Sequence, residues 1–210
     1  MSSTYSMWRL LALGQRCCLL YSINCKHYIV FMLSAQEIIA RYKLAPLDQE
    51  GGYFRQVWRS PVRVENTRLQ GNYSEHGDHP IGTLIYFLIT AETFSALHRL
   101  PTEEHWMYHL GDSCEQLLLN EDGTSECRRI GADLLAGEFV HVTTPKNSWQ
   151  GTRLIAGGSY GYMFGSCIMV PGFEWADFEL GNRVDLEQLY PSRKEEIQML
   201  TRAEPVEGTF

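Results

Sequence analysis

The stretches TLIYFLIT (83–90), TFSALHRL (93–100) and EHWMYHLG (104–111) follow one another with only two or three residues between them. The first is a continuous apolar run rich in β-branched and aromatic side chains, as in a strand covered on both faces. The other two are read as strands with alternating faces. Phe94, Ala96 and His98 share one face, and Glu104, Trp106 and Tyr108 share another. Downstream the same pattern continues in CEQLLLN (114–120), SECRRIG (125–131), FVHVTTP (139–145), SWQGTRLI (148–155) and GYMFGSCIMV (161–170). Gly-Asp, Glu-Asp-Gly, Ala-Gly and Gly-Gly-Ser turns separate them. Short strands at this spacing predict an all-β sandwich or barrel.

Upstream, GGYFRQVWRS (51–60) reads as a strand after a Gly-Gly turn, and residues 61–80 read as a long polar loop. LSAQEIIARY (33–42) predicts a short helix, with Ser34 as N-cap and Glu37 three residues on. DLEQLYPSRKEEIQMLTR (185–202) predicts helix again, interrupted at Pro191. One domain is expected over 32–202, with a tail at 203–210. Residues 1–31 stand apart, with Arg9, Arg16 and Lys26 but no acid. They are expected to be a disordered extension before a start at Met32, or a mitochondrial targeting segment. The expected location is accordingly cytoplasmic or mitochondrial.

The 210 residues are 44% hydrophobic, enough for one buried core, and carry a formal net charge of −7. An acidic chain without a Lys/Arg stripe repels phosphate backbones and anionic lipid, which argues against nucleic acid and membrane as partners. The stretch 10–20 is too polar for a membrane span. The six cysteines (17, 18, 25, 114, 127 and 167) include no Cys-x-x-Cys pair and read as reduced, mostly buried thiols.

His98, Glu104 and Gly111 are spaced as in the first motif of the cupin superfamily, which reads His-x-His, three or four residues, Glu, six residues, Gly. Here Leu100 takes the second His position. Pro145, Asn147 and Gln150 follow the spacing of the second motif, Pro-x-Gly-x-x-His, with Gln150 in the His position. Together with GGYFRQVWRS, LHRLPTEEHW, PKNSWQG and VPGFEWADFEL, the chain resembles a branch of RmlC-like cupins classed as a domain of unknown function. The resemblance covers essentially all of 34–200. Within that branch a His is usual where this chain has Met107.

The resemblance implies an all-β jelly-roll (double-stranded β-helix) barrel with short flanking helices, pairing as a homodimer. It implies a pocket for a sugar-like small molecule and, as activity, an isomerase or epimerase acting on a sugar, sugar phosphate or nucleotide sugar. Two chemistries stay open. In one, a single divalent ion (Zn, Mn, Fe or Ni) sits on His98, Glu104 and Gln150. In the other, as in the metal-free epimerases of this fold, His98 is a base, Glu104 orients it or acts as acid, and Tyr108, Tyr53 or Tyr86 returns a proton. Arg55 or Arg99 would hold a phosphate or carboxylate, Trp106 would stack on the ligand, and Gln150 would offer its amide. The alternative is a non-catalytic binding cupin with a degraded metal site.

Other residues read more simply. Trp106, Trp149 and Trp175 suit a core. His76 and His79 lie in the polar loop and are not expected as ligands. His105, His109 and His141 fall on ambiguous faces.

Overall fold

The computed structural model describes residues 11–13, 16–23, 26–69, 73 and 77–202. Within the expected extension, β1 (Leu11–Leu13), β2 (Arg16–Ile23) and β3 (Lys26–Phe31) form an antiparallel sheet of their own, without pairing to the strands that follow. Residues 1–10 and the tail 203–210 lie outside the described residues. Helix α1 (Ala35–Tyr42) begins as its sequence predicts: the Ser34 hydroxyl accepts from the Glu37 amide while Glu37 accepts from the Ser34 amide.

Then come β4 (Ala45–Pro46), β5 (Tyr53–Arg59), β6 (Arg63–Glu65), β7 (Asp78–Pro80), β8 (Thr83–Thr90), β9 (Ser95–Arg99), β10 (Glu104–Gly111) and β11 (Cys114–Leu119). After them come β12 (Ser125–Ile130), β13 (His141–Thr144), β14 (Trp149–Leu154), β15 (Tyr162–Met169) and β16 (Glu179–Leu180). The chain closes with α2 (Arg183–Leu189) and α3 (Lys194–Met199), parted at Pro191 as expected.

Two sheets face each other as a jelly-roll barrel, in the orders β13-β10-β15-β8-β5-β4 and β12-β11-β14-β9-β16. The long loop expected over 61–80 differs: β6 and β7 pair as a small ribbon within it. Three-residue strands of mixed polarity leave no readable period.

Alternation decides what faces the lumen. On β8, Phe87 and Ile89 point inward and join Trp106, Met163 and Ile130 in a packed core, whereas Tyr86 and Leu88 point outward under α1. On the opposite sheet, Leu97, Leu117, Leu119 and Trp149 face outward and are covered by Leu186 of α2, Ile197 of α3 and Tyr190. The apolar packing fills one part of the lumen and leaves a cavity beside it.

Two backbone features shape the barrel strands, and the second of them positions that cavity. Gly111, the last residue of the first motif, has φ +110°, and a Cβ there would lie 2.1 Å from the Tyr162 carbonyl oxygen; glycine alone fits. On β5 the register slips between Gln56 and Trp58, so that Trp58 pairs with outward Leu84 and Arg59 with inward Thr83. Simple alternation from Phe54 and Gln56 would put Trp58 inside. The bulge exchanges the two and aims Arg59 at the cavity.

Candidate functional site

The cavity has a volume of about 130 Å³. His98, Leu100 and Glu104 form its buried floor. Ile85, Phe54 and Met169 line its walls, and Arg59, Glu174 and the half-exposed Trp175 stand at its mouth. Glu50, in the turn before β5, also lines it.

His98 lies on β9 with its Nδ1 2.8 Å from the Ala96 carbonyl oxygen. A carbonyl only accepts, so Nδ1 carries the hydrogen and Nε2 carries the lone pair. Burial holds the imidazole pKa below its usual value, against the opposing pull of the Glu104 charge and the Ala96 bond. The Phe178 ring stacks on it at 5.3 Å.

Glu104 opens β10. Its Oε2 accepts from the indole N–H of Trp106 at 3.0 Å and from Gln150 Nε2 at 2.5 Å. Burial raises its pKa, with the Glu50 charge adding to the rise, while His98 and the two N–H donors oppose it. Glu50 is pushed up to about 7, chiefly by burial, and is partly held down by the Ser95 hydroxyl, which donates to it at 2.6 Å, and by Arg202.

A chain of side chains fixes how Gln150 sits. The Arg128 guanidinium, which can only donate, reaches Gln116 Oε1 at 2.6 Å. That contact leaves the Gln116 amide to donate to Gln150 Oε1 at 3.2 Å. The same oxygen accepts from Thr144 Oγ1 at 2.7 Å and Trp106 Nε1 at 3.1 Å. Gln150 therefore turns its N–H group, not its oxygen, toward Glu104 and toward His98 Nε2, 3.3 Å away.

This arrangement does not fit a metal ion. An amide can ligate only through its oxygen, and here that oxygen is taken by three donors. The N–H group facing His98 and Glu104 would meet a cation with like polarity. Leu100 supplies no donor. Among the described residues no group of three His, Cys, Asp or Glu is placed to hold a metal.

The structure thus gathers His98, Glu104, Gln150 and Trp106 of the residues singled out in the sequence. Trp106 is buried in the core, edge-on to Phe87, and serves the site through its N–H rather than as a stacking platform. The others lie elsewhere, each for a reason of parity or distance. Tyr108 faces inward but sits four residues, about 13 Å, along β10 from Glu104. Its hydroxyl donates to the Gly111 carbonyl, and burial pushes its pKa up to about 12. Tyr53 and Tyr86 face outward and pack under α1. Arg55 donates to the Tyr42 carbonyl at 3.0 Å on the outside. Arg99, next to His98 and so of opposite parity, pairs with Glu179 at 2.6 Å and lies over the Trp149 ring.

Glu50 and Arg59 were not legible as site residues: one lies in a turn and the other depends on the bulge. Trp175, read as core, is half exposed at the mouth. His79 is buried; its two nitrogens lie 2.5 Å from Asn66 Oδ1 and 2.5 Å from Asp177 Oδ2, tying the loop at 61–80 to the segment that carries Trp175. His76 lies outside the described residues. His105 and His141 stack on the outer face, and His109 meets Ser166. Cys114, Cys127 and Cys167 are free. Cys167 lines the cavity, but burial pushes its thiol pKa far up, against a role as nucleophile. No helix among the described residues is long and apolar enough to cross a membrane.

Residues 36–181 match the family model described as Cupin superfamily (DUF985), and the chain belongs to that family. A hypothetical protein from Leishmania major has a similar structure, with TM-score 0.71 and 32% identity over 80% of this chain and 99% of the other. The protein SO0799 from Shewanella oneidensis gives TM-score 0.71 and 28% identity over 82% of this chain and 100% of its own. The uncharacterized protein YML079W of Saccharomyces cerevisiae is 26% identical over 151 residues, 69% of this chain and 73% of its own length.

Proposed function

We propose, on the premise that the chain belongs to the cupin superfamily, that its barrel cavity is a metal-independent acid–base site for an isomerase or epimerase acting on a sugar-like carbonyl compound. The observation that carries this reading is the tautomer of His98. Its Nδ1–H on the Ala96 carbonyl leaves a neutral Nε2 lone pair, opposite the Gln150 N–H, on the floor of a sheltered cavity that also holds the Glu104 carboxyl. Such a nitrogen can take the proton from a carbon next to a carbonyl. Glu104, whose burial favours the protonated form, can give a proton to the carbonyl oxygen as the enolate forms. The Gln150 N–H group lies between the two and can stabilise the developing oxyanion. Return of that proton by His98 to the neighbouring carbon of the enediol, on the same face, with Glu104 taking a proton back from the second oxygen, completes an isomerisation without redox change; an epimerisation requires a second proton donor on the opposite face.

One observation favours a second reading, a binding cupin without turnover: the lone pair of His98 already faces the Gln150 N–H at 3.3 Å. A single experiment separates them. The protein is incubated in D2O with hexoses, hexose phosphates and nucleotide hexoses, and NMR follows deuterium uptake next to the carbonyl. Uptake that His98→Asn abolishes supports the enzyme. Ligand-dependent thermal stabilisation without uptake supports the binding module. Neither effect across the panel rejects both.

A further inference from the structure

Resting on the acid–base reading above, we infer that the cavity selects a compact, unphosphorylated ligand, neutral or positively charged, and rejects phosphate esters of the same ring. Size is the first ground. A cavity of 130 Å³ is close to the roughly 150 Å³ that holds one benzene ring in an engineered protein core. A bare six-membered ring fills this volume, so the hydroxyl groups of a hexose would extend toward the mouth and a nucleotide sugar would leave most of its mass outside.

Charge is the second ground. Three carboxyl groups line the cavity, those of Glu50, Glu104 and Glu174, against one guanidinium, that of Arg59. Arg59 is already committed: it pairs with Glu174 and donates to the Phe173 carbonyl at 3.2 Å. The neighbouring Arg63 is committed as well, to Glu174 at 2.9 Å and Asp78 at 2.7 Å. Arg202, near Glu50, donates to the Gln49 carbonyl. The cavity offers a phosphate no unpaired cation: to reach Arg59 it would have to break the Arg59–Glu174 pair and then sit beside the displaced Glu174 carboxylate.

The walls give the third ground. Phe54, Phe173 and Trp175 offer aromatic surface beside those acids, a combination that favours the apolar face of a ring or an ammonium group over an anion. His98, which lines the cavity, can read a hydroxyl on the ring with its Nε2.

Calorimetry with two matched sets tests this: glucosamine, glucose and glucose 6-phosphate, and benzylamine, benzyl alcohol and benzyl phosphate. In each set the phosphate is expected to bind at least about tenfold more weakly than its neutral parent. Glu174→Gln, which frees Arg59, should narrow that gap by about threefold or more. A phosphate that binds tighter than its parent, or a gap that Glu174→Gln leaves unmoved, overturns the selectivity and leaves the acid–base reading intact. No binding by any of the six compounds also overturns the selectivity, while the acid–base reading stands or falls on the deuterium uptake.

Discussion

The Arg128 guanidinium donates to Gln116 Oε1 at 2.6 Å, and this contact determines, one side chain further on, that Gln150 presents an N–H rather than an oxygen to His98. A residue on β12, away from the cavity, thereby sets the polarity of the floor. Arg128→Met is expected to release both amides and leave the Gln116 oxygen and the Thr143 carbonyl without their donor. Chemical denaturation should show a loss of about 1–3 kcal/mol. The deuterium uptake catalysed by the wild type should fall as well. A variant of wild-type stability and activity would show that the chain of amides is ornamental.

Glu50 gives the pH dependence a sign. Its pKa in the folded chain, about 7, lies above the ordinary value of 4.5. The proton is therefore held more tightly in the fold, and its stabilising effect is complete below pH 4.5 and lost as pH rises through 7. Glu50→Gln keeps an acceptor for the Ser95 hydroxyl and has no proton to lose. Relative to the wild type it should gain up to about 3 kcal/mol between pH 4.5 and 7.5, read from urea midpoints across that range. A constant difference between the two proteins would place Glu50 in contact with bulk water.

His98 acts in the opposite sense. Burial lowers its pKa, so the stability due to its neutral form is present above the ordinary value of 6.5 and is lost as pH falls through the lower folded value. His98→Asn should weaken the acid-side loss of stability. It should also abolish deuterium uptake at every pH, whereas a purely structural His98 would change only the former.

Metal binding should be gained, not lost, by mutation. Leu100→His together with Gln150→His places two imidazoles beside His98 and Glu104, a donor set suited to Zn or Ni. The double variant should carry about one metal per chain by elemental analysis, and the purified wild type should carry none. A stoichiometric metal in the wild type that His98→Ala removes would refute the metal-free chemistry.

The buried pair of His79 and Asp177, 2.5 Å apart, anchors the mouth. His79→Ala leaves the Asn66 and Asp177 side-chain oxygens without this shared partner and should cost about 1–3 kcal/mol. Trp175→Phe, at a half-exposed ring, should leave the melting temperature within about 2 °C but remove most of the ligand-dependent change in tryptophan fluorescence. Arg55→Ala and Arg99→Ala, whose charges lie outside the barrel, should leave ligand affinity unchanged.

The architecture was legible because it rests on local properties. Short apolar strands, Gly-rich turns, the Ser34–Glu37 cap and the break at Pro191 each act over a few residues and reappear in the fold as read. The floor of the cavity was legible for the same reason: His98 and Glu104 start from a strand parity and a spacing written in the chain. What lay beyond was decided in three dimensions. Tyr108 shares the parity of Glu104 yet stands four residues further along β10, because parity assigns a face and not a height. Arg59 replaces Trp58 in the lumen through a bulge whose register depends on the partner strand. Glu50 is a turn residue until the barrel folds over it. The orientation of Gln150 is inherited from Arg128, a residue on another strand. The sequence alone determined which side chains could face inward; only tertiary pairing decided which of them meet, because proximity across strands is set by register and closure, which no single strand encodes.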